Sequence, residues 1–265
     1  MKYLKPFLIV LVLFSSFNYS CSTSNDDTPV DMESMEEETA EENIDDRMYD
    51  ISSILSLFEG TELSYEINGD NVIFTTADLP NHKSPYWETS NELYEAYNGS
   101  NTNFNKNPNQ ILEQNIVFTI PLNPTAASMN EATRLGPIGI SRNGVVFYNQ
   151  YAGPNNQPLT SEINSFDQYL GHPQNSGQYH YHIEPSFLTG TFGSDAFLGL
   201  LADGFPVYGP MENGTQVTND DLDEFHGHTS VTPDFADGIY HYHITDADPY
   251  LNGNGYYGTP GNISM

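Results

Sequence analysis

The chain reads as a mainly β protein: an antiparallel β-sandwich or barrel-like domain containing an internal duplication, with little helix. Three observations lead there. Gly177–Ile183 and Gly238–Ile244 both run Gly-x-Tyr-His-Tyr-His-Ile, alternating aromatic or β-branched residues with histidine at the period of a strand. Asn-Gly and Asp-Gly pairs lie between short apolar runs at Asn68-Gly69, Asn143-Gly144 and Asp203-Gly204, where a hairpin needs residues tolerant of positive φ. Blocks of the C-terminal half recur in the same order at offsets of 60, 56 and 61 residues.

The first fifty residues do not belong to that fold. Lys2 and Lys5 precede an apolar run, Phe7 to Phe14, too short to span a membrane, so residues 1–20 read as a secretory signal. Cys21, the only cysteine, sits where a lipoprotein signal peptidase would leave a lipidated residue, although Asn18 stands where an aliphatic residue is usual. A lipid anchor is therefore the expected membrane contact, and no thiol is left for disulfides or metal. Residues 26–50 carry twelve carboxylates against Arg47 alone, so 21–50 reads as a solvated, disordered acidic linker. With 36 Asp and Glu against 7 Lys and Arg, nucleic acid is excluded as a partner, because phosphate binding needs clustered positive charge.

Residues 51–265 are expected to form one domain. Residues 48–58 carry an apolar pattern compatible with a short helix. Leu63–Ile67 and Asn71–Thr76 flank Asn68-Gly69-Asp70 as a hairpin. Residues 88–97 fit a helix or an irregular segment equally, the Asn-rich run 98–109 reads as a loop, and Gln114–Leu122 reads as a strand ending near Pro121.

From Pro137 the chain repeats. Ile138–Tyr148 matches Leu198–Tyr208, Phe166–His172 matches Leu222–His228, and the two Tyr-His-Tyr-His strands complete the set. The unit of about 50 residues (about 137–185, then about 197–246) is a hairpin, an Asp-x-aromatic-x-Gly-His turn and a His-x-His strand, and two copies suggest an approximate two-fold axis.

Seven of the eight histidines lie between His172 and His243. On a strand, Tyr179, Tyr181 and Ile183 share one face and His180, His182 and Glu184 the other, as do Tyr240, Tyr242, Ile244 and His241, His243, Thr245. His-x-His on a strand directs two imidazoles to one ion, and His172 or His228 from the preceding turn completes a three-nitrogen face. The expected metal ligands are His180, His182, His241, His243, His172 and His228, in one shared site or two. Asp167 and Asp223 are expected to orient a ligand imidazole through its second nitrogen. Nitrogen and oxygen donors suit zinc or copper(II). The alternatives are a hydrogen-bonded His/Tyr framework and metal-free catalysis. The tyrosine faces read as core.

The order of these blocks resembles the YHYH-domain family. The similarity is carried by Gly136–Gly144, Gly171-His172, Gly177–His182, Ala202–Pro210, Leu222-Asp223, Gly227-His228 and Gly238–His243, with Leu79–His82 similar to a block near the family's N-terminal side. It covers roughly residues 75–247 and implies a secreted or surface protein, with little said of activity. Many members have Cys in the turn where this chain has Tyr169 and Phe225. Cys21–Asp27 also resembles the Ser-then-acidic tether of surface-exported Bacteroidetes lipoproteins, which implies the outer membrane, surface-exposed, or otherwise the periplasm. The functional expectation is a surface lipoprotein binding a transition metal. Its alternatives are a metal-dependent extracellular hydrolase or oxidoreductase, and a non-catalytic binder of a small molecule or polymer.

Overall fold

In the computed structural model the described residues are 48–265; the signal segment, Cys21 and nearly all of the acidic linker lie outside them. Packing starts slightly earlier than the expected boundary, because Tyr49 is buried with its ring 5.9 Å from that of Phe205. Residues Ser52–Leu57 form a 3-10 helix that buries Ile54 and Leu55.

Two sheets carry the fold. The first has four strands in the order β1-β2-β3-β16: β1 (Thr61–Asn68), β2 (Asn71–Leu79), β3 (Ile116–Pro121) and β16 (Asn262–Ser264). Gly69 makes the predicted tight turn with φ +61°, so that Asn68 pairs directly with Asn71. Along β2 and β3 alternate residues (Val72, Phe74; Ile116, Phe118, Ile120) are buried, so this sheet offers one face to the core. Residues 88–112 contain turns and irregular backbone and no helix.

The second sheet has eight strands. The first matched unit supplies β4 (Gly139–Ser141), β5 (Val146–Phe147), β8 (Gly171–Pro173) and β9 (Tyr179–Tyr181). The second supplies β10 (Phe197–Leu201), β11 (Pro206–Tyr208), β14 (Gly227–Ser230) and β15 (Ile239–His243). Between them lie two small hairpins, β6 (Tyr151–Ala152) with β7 (Gln157–Pro158) and β12 (Met211–Glu212) with β13 (Thr215–Gln216), and one helix, α1 (Ser186–Phe192).

The order β14-β15-β11-β10-β4-β5-β9-β8 reads the same from either edge once matched strands are exchanged. At its centre Ile140 pairs with its own counterpart Leu200, antiparallel, and the flanking pairs are Gly139↔Leu201 and Ser141↔Gly199. Glycine is needed here: a Cβ on Gly139 would lie 2.4 Å from the Leu200 carbonyl oxygen, and one on Gly199 would lie 2.3 Å from that of Ile140. The outer registers agree too, with His172 opposite His180 and His228 opposite His241. Among the described residues the sheets are open and no barrel closes. The four-stranded sheet is wholly antiparallel, whereas the eight-stranded sheet is mixed, since β5 with β9 and β11 with β15 run parallel, each His-x-His strand entering beside a hairpin strand from the same unit.

Candidate metal centres

The histidine face of each Tyr-His-Tyr-His strand projects where the alternation places it. His180 Nε2 and His182 Nε2 lie 3.1 Å apart, and His241 Nε2 and His243 Nε2 lie 3.0 Å apart. The turn histidines join them, giving two clusters, each with ligand atoms mutually within 4.8 Å: Glu162, His172, His180 and His182, and Glu212, His228, His241 and His243. Two separate sites result. From His180 the pairing runs through Val146, Ile140 and Leu200 to Pro206 on β11, and β11 lies beside β15 with Val207 opposite Tyr242, so the two pairs share a sheet face five strand spacings apart. That is about 24 Å along the sheet.

The hydrogen bonds fix which nitrogen is bare in five of the six cluster rings. A carbonyl oxygen can only accept, so Nδ1 carries the proton where it meets one. His180 Nδ1 donates to the Gln178 carbonyl at 3.2 Å and His182 Nδ1 to that of Asn149 at 2.6 Å. His241 Nδ1 donates to Ile239 at 2.9 Å and His243 Nδ1 to Gly209 at 2.7 Å. His172 Nδ1 lies 2.7 Å from Ser165 Oγ, whose own proton is given to the Glu162 carbonyl at 2.7 Å, so the hydroxyl accepts from the imidazole. Each of these rings therefore turns an Nε2 lone pair inward.

The result is a set of acceptors facing one another. His172 Nε2 and His228 Nε2 are buried with no hydrogen-bond partner, 3.2 Å from Glu162 Oε1 and 3.4 Å from Glu212 Oε1. Burial, with neighbouring His172 and His182, holds His180 well below the usual histidine range; burial brings His182 to about 4 and His241 to about 3. At neutral pH these three rings therefore carry no second proton. Burial works against ionisation of Glu162, yet His172 and His182 together hold the carboxyl below its ordinary value. A cation removes the conflict: with metal–nitrogen bonds of about 2.0–2.1 Å, tetrahedral geometry sets two nitrogens about 3.3 Å apart.

Glu162 and Glu212 are not apparent from sequence. Glu162 begins a 3-10 helix, Glu162–Ser165, ten residues before His172; Glu212 lies on β12, sixteen residues before His228. At the offset of 60 the counterpart of Glu212 is Ala152, so the two carboxylates come from different elements and no repeat marks them. Glu184, placed on the histidine face by alternation, instead accepts from Thr189 Oγ1, because the strand ends before Pro185.

Asp167 and Asp223 do not orient the imidazoles. Asp167 accepts from Ser84 Oγ (2.6 Å), Tyr179 Oη (2.9 Å) and the Tyr169 amide (2.8 Å); Asp223 accepts from Tyr240 Oη (2.9 Å) and the Phe225 and Gly227 amides. Each carboxylate closes the turn that carries His172 or His228 and ties it to the tyrosine face of the neighbouring strand. Backbone carbonyls orient the strand histidines instead. The tyrosine faces are core, as expected: Tyr181 Oη meets His82 Nε2 at 2.9 Å, and Tyr242 Oη donates to Asp203 at 2.6 Å. His82 and His226 stand in neither cluster; His226, at φ +76°, closes the second turn and bonds Thr245 Oγ1 at 2.9 Å.

Aromatic rings and cavities frame the centres. Tyr148 stacks on His180 (3.9 Å, 18°), while its counterpart Tyr208 meets His241 edge-on (5.2 Å, 75°). A cavity of about 530 Å³ opens on Glu162, His172, His180 and His182, and one of about 280 Å³ on Glu212, His241 and His243.

Compared with known proteins, the chain matches a family model described as YHYH protein over residues 117–219 and 211–255. No curated protein and no solved structure gave a match.

Proposed function

Because the chain belongs to the YHYH protein family, we propose that the paired tyrosine-histidine strands serve to hold transition-metal ions, one in each three-histidine, one-glutamate cluster. The observation that carries this reading is the convergence of bare Nε2 lone pairs and a carboxylate, with the Nδ1 protons of His180, His182, His241 and His243 already committed to backbone carbonyls. A hydrogen-bonded framework would pair donors with acceptors, and these clusters pair acceptors with acceptors. Imidazole with one carboxylate and no thiol suits zinc or copper(II). His180, His182, His172 and Glu162 would hold one ion; His241, His243, His228 and Glu212 the other.

Metal analysis of untagged protein is expected to find about two ions per chain. Protein that is metal-free as isolated, and whose melting temperature rises with neither zinc nor copper(II), overturns the reading.

The cavity on the Glu162 centre favours a second reading, a metal-dependent hydrolase acting outside the cell. A bound zinc ion would supply Lewis acidity there. The chain's own contribution is to hold the ligand rings rigid, Tyr148 by stacking on His180 and the carbonyls of Gln178 and Asn149 by fixing the tautomers.

Anchorage completes the proposal: residues 1–20 act as signal and Cys21 carries the lipid, placing the protein on the outer membrane. No helix among the described residues is long and apolar enough to cross a membrane. Cys21→Ser is expected to move the protein out of the membrane fraction; retention there sinks the anchor.

A further inference from the structure

The cavity on the Glu162 centre does not end at the metal ligands. A second cavity, about 520 Å³, shares Asn107, Asn109 and Asn175 with the first and continues along residues 106–112. The two adjoin across these residues and line a path from the histidines over the Asn-rich segment. Each part lies within the range of about 300–1,000 Å³ of ligand sites, and their sum suits a ligand of several linked units.

The lining defines the chemistry. Apart from Glu162 at one end and Lys106 at the other, the side chains are uncharged, and the polar ones outside the histidine cluster are carboxamides (Asn107, Asn109, Gln110, Gln174, Asn175 and Gln178) set among apolar residues such as Leu112, Leu135 and Pro137. Tyr148 and Tyr151 add aromatic surface near the Glu162 end. Two carboxamides are pinned before any ligand arrives, since Asn107 Nδ2 and Asn109 Nδ2 each donate to the Pro173 carbonyl at 3.0 Å. That capping also removes the feature an extended peptide would use. β8 is the edge of the eight-stranded sheet, and its Pro173 lacks an N–H while its carbonyl is already engaged. The chain's net charge of −29 further disfavours an anionic polymer.

We infer that this cleft binds a neutral oligosaccharide, its hydroxyls meeting the carboxamide rim and one sugar face stacking near Tyr148 and Tyr151. The inference rests on the metal reading only in taking the Glu162 centre as one end of the cleft. The test is calorimetric titration of the full chain, zinc-loaded and chelator-treated, with cello-, malto-, manno-, xylo- and chitohexaose, a Gly/Ser hexapeptide as comparison, and metal content measured in parallel. At least one hexasaccharide is expected to bind with a Kd below about 1 mM, and Asn109→Ala/Asn175→Ala to weaken it about tenfold with metal content unchanged. If that pair does not fold, Gln110→Ala on the outer stretch replaces it and is expected to weaken binding in the same direction. No binding across the panel, undiminished binding in the folded variant, or preference for the peptide overturns the inference. Saccharide binding by a chain that takes up no metal leaves the cleft standing and removes the metal reading; metal uptake without saccharide binding does the reverse.

Discussion

Glu162→Gln separates a metal centre from a hydrogen-bonded framework by the sign of its effect. Glu162 Oε1 lies 3.2 Å from a His172 Nε2 that has no hydrogen-bond partner, and the other two Nε2 atoms of the cluster are bare as well. The substitution keeps the shape but replaces a charged acceptor with a carboxamide, whose N–H can reach a lone pair. Without metal it relieves a set of acceptors facing each other, so stability should rise by about 1 kcal/mol, the net value of one hydrogen bond. With metal it removes an anionic ligand. At zinc equal to 100 times the wild-type Kd, one centre contributes about 2.7 kcal/mol; a Kd weakened about 100-fold leaves about 0.4 kcal/mol. The difference, about 2.3 kcal/mol, corresponds to about 5–9 °C in Tm for a domain of this size. Thermal unfolding of both proteins, each in chelator and in zinc, reads all four values. A Glu162→Gln protein destabilised equally in both conditions refutes the reasoning, because it would show the carboxylate paired with a protonated His172 and not poised for a cation.

Further outcomes follow from the same geometry. In chelator, stability should fall as pH drops from 6.5 toward 4, because His182, His82 and His226 (about 4) and His241 (about 3) stay neutral when folded while their unfolded counterparts take up protons near 6.5, each a loss of about 2 kcal/mol by pH 5 that is only partly offset by the protonation of buried Asp167 and Asp203 (about 6); urea midpoints read the net fall, and a profile that rises over that window counts against neutral histidines. Asp167→Ala should cost about 2–4 kcal/mol by removing the acceptor of Ser84, Tyr179 and the turn amides, while metal content is retained in the folded fraction; loss of metal from a fully folded variant would return Asp167 to the site. Gly199→Ala should cost about 1–3 kcal/mol or more through the 2.3 Å approach to the Ile140 carbonyl, measured by chemical unfolding; a neutral result would mean that the central strand pair is not so close.

Legibility in the sequence followed the range of the interaction. The hairpins at Asn68-Gly69 and Asn143-Gly144 were readable because a positive φ is demanded within two residues, and Gly69 and Gly144 adopt it at +61° and +86°. The convergence of His180 with His182 was readable because strand alternation is local, and the turn histidines because the same block occurs twice. Asp167 and Asp223 misled for a related reason. Their spacing to the turn histidine is fixed by the turn they close, and nothing local says that the carboxylate faces a tyrosine.

By itself, then, the sequence determined the β class, the hairpins and six of the eight residues that the two clusters bring together, all properties set by neighbours in the chain. Only tertiary structure decided that there are two centres, that β5 and β11 guide the His-x-His strands in parallel, and that Glu162 and Glu212 close the clusters. The last point has a definite cause. A carboxylate needs to arrive at one place in space, and in one unit a 3-10 helix brings it while in the other a hairpin strand does, from positions that no repeat relates.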